Sequence, residues 1–111
     1  TILDGCTAGM TCVQDESFGP VLTVETFSGS DRRQAEDAAV ALANDSIYGL
    51  GAVVFGGRGA AAVADQLEAS MVSVNGGAGG SPWVGAKQSG FGFHGSAAGH
   101  RQFAQVRVMN F

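Results

Sequence analysis

Four consecutive stretches decide the fold: Leu50-Gly51-Ala52-Val53-Val54-Phe55, Gly56-Gly57-Arg58-Gly59, Ala60-Ala61-Ala62-Val63-Ala64-Asp65-Gln66-Leu67 and Met71-Val72-Ser73-Val74-Asn75. The first is an apolar run of strand length and reads as a strand buried on both faces. The glycines turn the chain into a helix, on which Ala60, Val63, Ala64 and Leu67 repeat at i, i+3, i+4 and i+7. The last stretch is a second strand. Strand, helix and strand within this length make a βαβ crossover, so the two strands are expected to run parallel and the class is α/β.

Upstream, Ser28-Gly29-Ser30-Asp31 breaks a strand and caps a helix, with Asp31 and Gln34 spaced as in a capping box. Ala35, Ala38, Ala39, Leu42 and Ala43 form a narrow apolar stripe on that helix. Its small side chains suit close packing on a sheet. Asn44-Asp45-Ser46 and Gly49 end it. Residues 1–27 read as strands joined by turns: Asp4-Gly5 is a turn, 10–13 a short strand, and 21–27 a strand rich in β-branched and aromatic residues. Downstream, 76–81 is glycine-rich and irregular. Residues 82–92 have no period but carry Trp83, Lys87 and Phe91. Residues 97–103 suit a short helix, and 105–111 alternate as a terminal strand.

A chain of 111 residues is one compact domain or a piece of a larger one, and is long enough to bury a core without staples. The formal charge of −4, with no Lys or Arg run, excludes nucleic acid and anionic membrane as natural partners. No apolar stretch reaches spanning length, and no signal-peptide pattern opens the chain. Cys6 and Cys12 read as reduced thiols of a cytoplasmic protein, without the further Cys or His a metal site needs. Thr1-Ile2-Leu3 reads as the inside of a strand, and a fragment is expected.

Several constellations invite chemistry. Gly57-Arg58-Gly59-Ala60-Ala61-Ala62 fits G-x-G-x-x-G/A between strand and helix, but the acid expected about 20 residues on is replaced by Asn75 and Gly77. A glycine-rich βα turn is the simpler reading. His94 and His100 lack a recognisable triad partner and read as surface residues. Cys6 and Cys12 sit at no predicted helix N-terminus and beside no base, so structural thiols are expected. Trp83 is either core or a platform for an apolar or cationic group. In Asp15-Glu16-Ser17-Phe18-Gly19-Pro20, glycine permits a tight backbone and proline fixes φ, holding Glu16 and Phe18 in a defined geometry.

Three motifs, in order and near-family spacing, carry a resemblance that covers almost the whole chain. Glu16-Ser17-Phe18-Gly19-Pro20-Val21 resembles E-x-F-G-P-V. Ala41-Leu42-Ala43-Asn44-Asp45-Ser46-Ile47-Tyr48-Gly49-Leu50 resembles A-L-A-N-D-T-x-Y-G-L. Pro82-Trp83-Val84-Gly85-Ala86-Lys87-Gln88-Ser89-Gly90-Phe91-Gly92 resembles P-F-G-G-x-K-x-S-G-x-G. Together they look like the C-terminal part of the NAD(P)-dependent aldehyde dehydrogenase superfamily.

The resemblance implies a catalytic-domain segment over residues 1–104, with the parallel βαβ unit, and an oligomerisation strand over 105–111. It implies that Glu16 binds the nicotinamide-side ribose hydroxyls of NAD or NADP, that Phe18 packs near the nicotinamide, and that Trp83 lines the aldehyde tunnel. Trp at that place points weakly to a cationic aldehyde. The parent reaction oxidises an aldehyde to a carboxylic acid. A Cys nucleophile forms a thiohemiacetal, hydride leaves to give a thioester, and a Glu base activates water. That Cys, that Glu and the nucleotide-binding domain match nothing in this chain, so no catalytic residue is expected in it and the isolated chain is expected to be inactive. Its partners are then a small aldehyde and the remainder of the dehydrogenase or other subunits.

Three departures stand out. The stretch between Asn75 and Pro82 is short, Val84 replaces a motif glycine, and Phe93-His94 replace the usual Arg and Glu. The rival readings are a non-catalytic assembly module and a small nucleotide-binding domain using residues 57–62.

Overall fold

A computed structural model describes residues 1–77 and 82–111. The expected irregularity of 76–81 thus lies mostly outside the described residues. The chain forms two units, Thr1–Ile47 and Tyr48–Phe111.

In the first unit, β1 (Ile2–Leu3) pairs in parallel with β2 (Leu22–Thr23), Ile2 opposite Leu22 and Leu3 opposite Thr23. Flanking bonds extend the pair: Thr1 N to Pro20 O at 2.7 Å, Val24 N to Leu3 O at 2.8 Å and Cys6 N to Val24 O at 3.0 Å. The strand expected over 21–27 is therefore short. Residues 10–13, expected as a strand, lie at the start of a helical turn instead: α1 is Thr11–Gln14. Met10 O accepts Val13 N and Gln14 N, and the Gln14 amide returns to Ala8 O, so local bonds outweigh strand propensity.

Helix α2 (Arg32–Asn44) starts as expected. Asp31 Oδ1 accepts Gln34 N at 2.9 Å. Gln34 Oε1 reaches back one residue further than in a capping box, accepting the Ser30 hydroxyl at 2.8 Å. Of its stripe, Ala35, Ala38, Ala39 and Leu42 are half-buried but Ala43 is exposed, and no residue of the helix is fully buried.

In the second unit, β3 (Gly51–Val54) and β4 (Met71–Val74) run parallel in register from Gly51↔Met71 to Val54↔Val74. Helix α3 (Ala60–Ala64) packs on both strands and buries Ala60, completing the βαβ crossover. Burial of β3 on both faces is not met. Ala52 and Val54 are half-buried, whereas Val53 and Phe55 are exposed. A parallel sheet is ordinarily covered on both faces. Among the described residues, only α3 supplies substantial cover.

β5 (Trp83–Val84) and β6 (Phe93–His94) form an antiparallel pair. Helix α4 (Ala97–Arg101) follows, its Ser96 hydroxyl capping Gly99 N at 3.0 Å. It packs against β6 so closely that a Cβ on Gly99 would meet Phe93 O at 2.7 Å. Residues 105–111 form no strand within the chain and are exposed. Strand pairing needs a neighbour, and none of the described residues supplies one. The length would allow a core, but little of the apolar surface is covered. Of the described apolar side chains, only Cys6 and Ala60 are buried. Phe18, Phe91, Phe103, Val106, Val108 and Phe111 lie open.

Candidate functional site

Glu16 and Phe18 sit on the loop between α1 and β2. Gly19 N donates to Ser17 O at 2.6 Å and Val21 N to Gly19 O at 2.8 Å. These are two consecutive three-residue turns, centred on Phe18 and Pro20. Proline's fixed φ suits the second turn, and the first turns the Phe18 side chain outward, 98% exposed. Gly19 has no positive φ, and a Cβ there would meet nothing within 4 Å. The tight backbone thus comes from the hydrogen bonds and from Pro20, and glycine is not required by this chain's own atoms. The Glu16 carboxylate is exposed and accepts no bond from the described residues. It therefore keeps its lone pairs for an external donor such as a vicinal diol.

Trp83 belongs to the other unit. It is 53% exposed at the start of β5, opposite His94. Its indole stacks on the His94 imidazole, with centroids 6.0 Å apart and planes 7° from parallel. Both line a recess of about 430 Å³ with Leu50, Phe91, Phe93 and Phe103. Among the described residues no carboxylate lines it. Trp83 is thus a recess wall and not core.

The second and third sequence motifs meet behind this recess. Gly49 N donates to Ser89 Oγ at 3.0 Å, Tyr48 bridges to Lys87, and Lys87 Nζ lies 2.9 Å from Glu68 Oε2. A Cβ on Gly49 would meet Glu68 O at 2.8 Å, so a side chain there displaces backbone. The departure at Val84 leaves the backbone's close approach to the next residue, Gly85. A Cβ on Gly85 would run into the Gly90 carbonyl, while Val84 is an ordinary half-buried strand residue.

Several positioning residues escaped sequence reading. Asn75, where the dinucleotide fingerprint wants an acid, takes φ 57°. Its amide clamps Gly56, donating to O and accepting from N at 2.9 Å each. Asn tolerates this left-handed backbone, which was the available signal. Gly59, with φ 104°, opens a helix of five residues. The glycine stretch is thus a structural βα turn. Gln102 clamps Phe93 the same way, accepting from its N–H and donating to its carbonyl. His94, read as a lone surface residue, is exposed but stacked.

Cys6 is buried and its thiol donates to Leu3 O at 3.3 Å. Burial pushes its pKa up, outweighing a backbone hydrogen bond from Val24, and the Cys12 thiol and Glu25 carboxylate push it further. Burial and the raised pKa both disfavour the reactive thiolate. Cys12 lies in the first turn of α1, contrary to expectation. No group of three His, Cys, Asp or Glu among the described residues is placed to hold a metal. No helix among them is long and apolar enough to cross a membrane.

The aldehyde dehydrogenase family model matches residues 1–109. The chain is 39% identical to a betaine aldehyde dehydrogenase of Bacillus subtilis, over 96% of this chain and 22% of that protein. It is also 39% identical to an NADP(+) succinate-semialdehyde dehydrogenase of Deinococcus radiodurans, over 98% of this chain and 23% of the other. Among solved structures, a Staphylococcus aureus betaine aldehyde dehydrogenase in complex with NAD+ superposes with a TM-score of 0.78. It shares 38% identity over 92% of this chain and 20% of that one. The chain thus spans about a fifth of the length of these relatives.

Proposed function

Because the chain belongs to the aldehyde dehydrogenase family, we propose that it serves oxidation of an aldehyde to a carboxylic acid with NAD or NADP, as one part of such an enzyme. In this reading it supplies cofactor-ribose, tunnel and interface residues, and no catalytic residue. The observation that carries it is the unclaimed Glu16 carboxylate beside the open Phe18 ring, on a loop braced by two successive turns.

NAD(P), when bound, supplies the hydride acceptor. Glu16 accepts hydrogen bonds from ribose hydroxyls, which orients the nucleoside. Phe18 offers an apolar face that limits where the nicotinamide ring lies. Trp83 and its recess take the hydrocarbon part of the aldehyde and exclude water from it. The nucleophile and the base are assigned to the rest of the enzyme, because the motif that carries the nucleophilic Cys and the general-base Glu match nothing in this sequence, and Cys6 is buried. Two unbridged cysteines favour a reducing compartment and the cytoplasm.

The exposed Phe, Val and Met side chains support a role as a piece that is covered on assembly. The test is aldehyde-dependent NADH formation. The isolated chain is expected to give none. NADH formation by the isolated chain that survives replacement of both cysteines would overturn the assignment.

The second reading is an assembly module without turnover. It is favoured by the last residues, where Val106 and Val108 are 87% and 80% exposed on a segment of strand-like alternation. Such a segment suits edge pairing with another subunit's sheet. Co-purification with a longer dehydrogenase, lost on removing 105–111 and without aldehyde turnover, would favour it.

A further inference from the structure

We infer that His94 is a specificity-determining residue, which by stacking on Trp83 turns the recess away from cationic groups and toward neutral aromatic ones. The inference rests on the dehydrogenase reading for its substrate, an aldehyde, and adds the class: a neutral aryl aldehyde.

A cation is held in a recess in two ways, by a carboxylate or by an open aromatic face. Among the described residues no Asp or Glu lines this recess, so the chain itself brings no carboxylate to it. Glu68, the nearby acid of the same unit, is ion-paired to Lys87. The second is compromised by geometry. The imidazole lies within 7° of parallel to the indole, and cross-strand pairing of Trp83 with His94 holds the two rings in register. The position is fixed further by Gln102, whose amide clamps both backbone groups of the preceding Phe93.

Both protonation states work in the same direction. A neutral imidazole shields part of one face of the indole, the strongest cation-binding ring in the recess, and an imidazolium repels a cation. A neutral aryl group meets no such penalty. It finds Leu50, Phe93, Phe103 and the outer surface of the Trp83–His94 pair, a lining suited to offset or edge-on ring contacts. Sequence marks the same position, since Phe93-His94 stand where an Arg-Glu pair is usual in the resemblance.

The chain has one tryptophan, so its indole N–H resonance reports on this recess alone. Benzyl alcohol and choline are unreactive probes that differ in an aryl group against a quaternary ammonium. Each is titrated into the 111-residue chain while the Trp83 indole signal is followed by NMR. Wild type is expected to bind benzyl alcohol more tightly than choline by about fivefold or more. His94→Ala is expected to abolish that preference by raising choline affinity. His94→Phe, which keeps a stacked ring, is expected to retain it. His94 is exposed, and backbone spectra check that each variant keeps its fold.

An unchanged preference in His94→Ala overturns the inference. So does choline binding as tightly as benzyl alcohol to wild type, or the absence of any Trp83 response to either probe. The readout needs neither cofactor nor turnover. If the selectivity holds while the dehydrogenase assignment fails, the recess is an aryl site in a non-catalytic chain. If the assignment holds while the selectivity fails, specificity lies elsewhere in the enzyme.

Discussion

The backbone N–H of Gly49 donates to the hydroxyl oxygen of Ser89 at 3.0 Å, across 40 positions of sequence. Two motifs that read as separate in the sequence are thereby one structural unit. Ser89→Ala leaves a part-buried N–H without its acceptor and is expected to cost about 1–3 kcal/mol. Gly49→Ala drives a Cβ toward Glu68 O and is expected to cost about the same through backbone displacement. Urea midpoints of the two variants and wild type check both.

Lys87 combines a left-handed φ of 50° with an ion pair to Glu68. The pair is partly solvent-exposed, so Glu68→Gln is expected to cost no more than about 1 kcal/mol. The backbone matters more for a β-branched residue. Lys87→Val is expected to lose about 1–2 kcal/mol beyond the lost pair, whereas Lys87→Gly relieves the strain. A thermal melt that ranks Val no worse than Gly contradicts this account.

Asn75→Ala removes both hydrogen bonds to Gly56 and leaves a non-glycine residue at φ 57°. Asn75→Gly removes the bonds only. The alanine variant is expected to be the less stable by about 1 kcal/mol. Unfolding midpoints decide, together with exchange of the Gly56 N–H, which should quicken in both.

The raised pKa of Cys6 has a sign in stability. The unfolded thiol loses its proton first, so Cys6 contributes fully below the ordinary thiol range. That contribution falls as pH rises from about 8.5 through the higher native value. Stability is expected to fall across that window, and Cys6→Ala to flatten that part of the profile. Iodoacetamide at pH 8 is expected to modify Cys12 well before Cys6, as peptide mass mapping would show.

On the proposed role of Glu16, Glu16→Gln keeps the shape and removes the charge that would strengthen its hydrogen bonds to ribose hydroxyls. In the enzyme that carries this chain, it is expected to weaken NAD(P) by roughly 10- to 100-fold, at about 1.5–3 kcal/mol for a charged hydrogen bond. Both Glu16 and Phe18 are exposed, so neither Glu16→Gln nor Phe18→Ala should move the unfolding midpoint. A KM for cofactor that is unchanged in Glu16→Gln removes the residue from the site.

Local chemistry made much of this legible. Asp31 with Gln34 marked a helix start, and the apolar runs around residues 50–75 marked a parallel crossover, because caps and periodicity are short-range. Exposure was not legible. Val53 and Phe55 look like core residues, and whether a face is covered depends on atoms beyond the segment. The Trp83–His94 stack was hidden for another reason: no pattern across residues 85–92 announced the register that sets the two rings opposite. Residues 10–13 misled because their side chains suit a strand, while Met10 O and the Gln14 amide closed a helical turn instead.

The strands that anchor the Glu16–Phe18 loop are two residues long on each side. A ladder that brief opens often, and its amides exchange with solvent long before those of a longer sheet. The loop that presents the Glu16 carboxylate is therefore tied to a pairing of two residues per strand. Its readiness for a ligand is rented from whatever packs over β1 and β2, so affinity should rise with burial of that pair before any contact to the ligand itself changes.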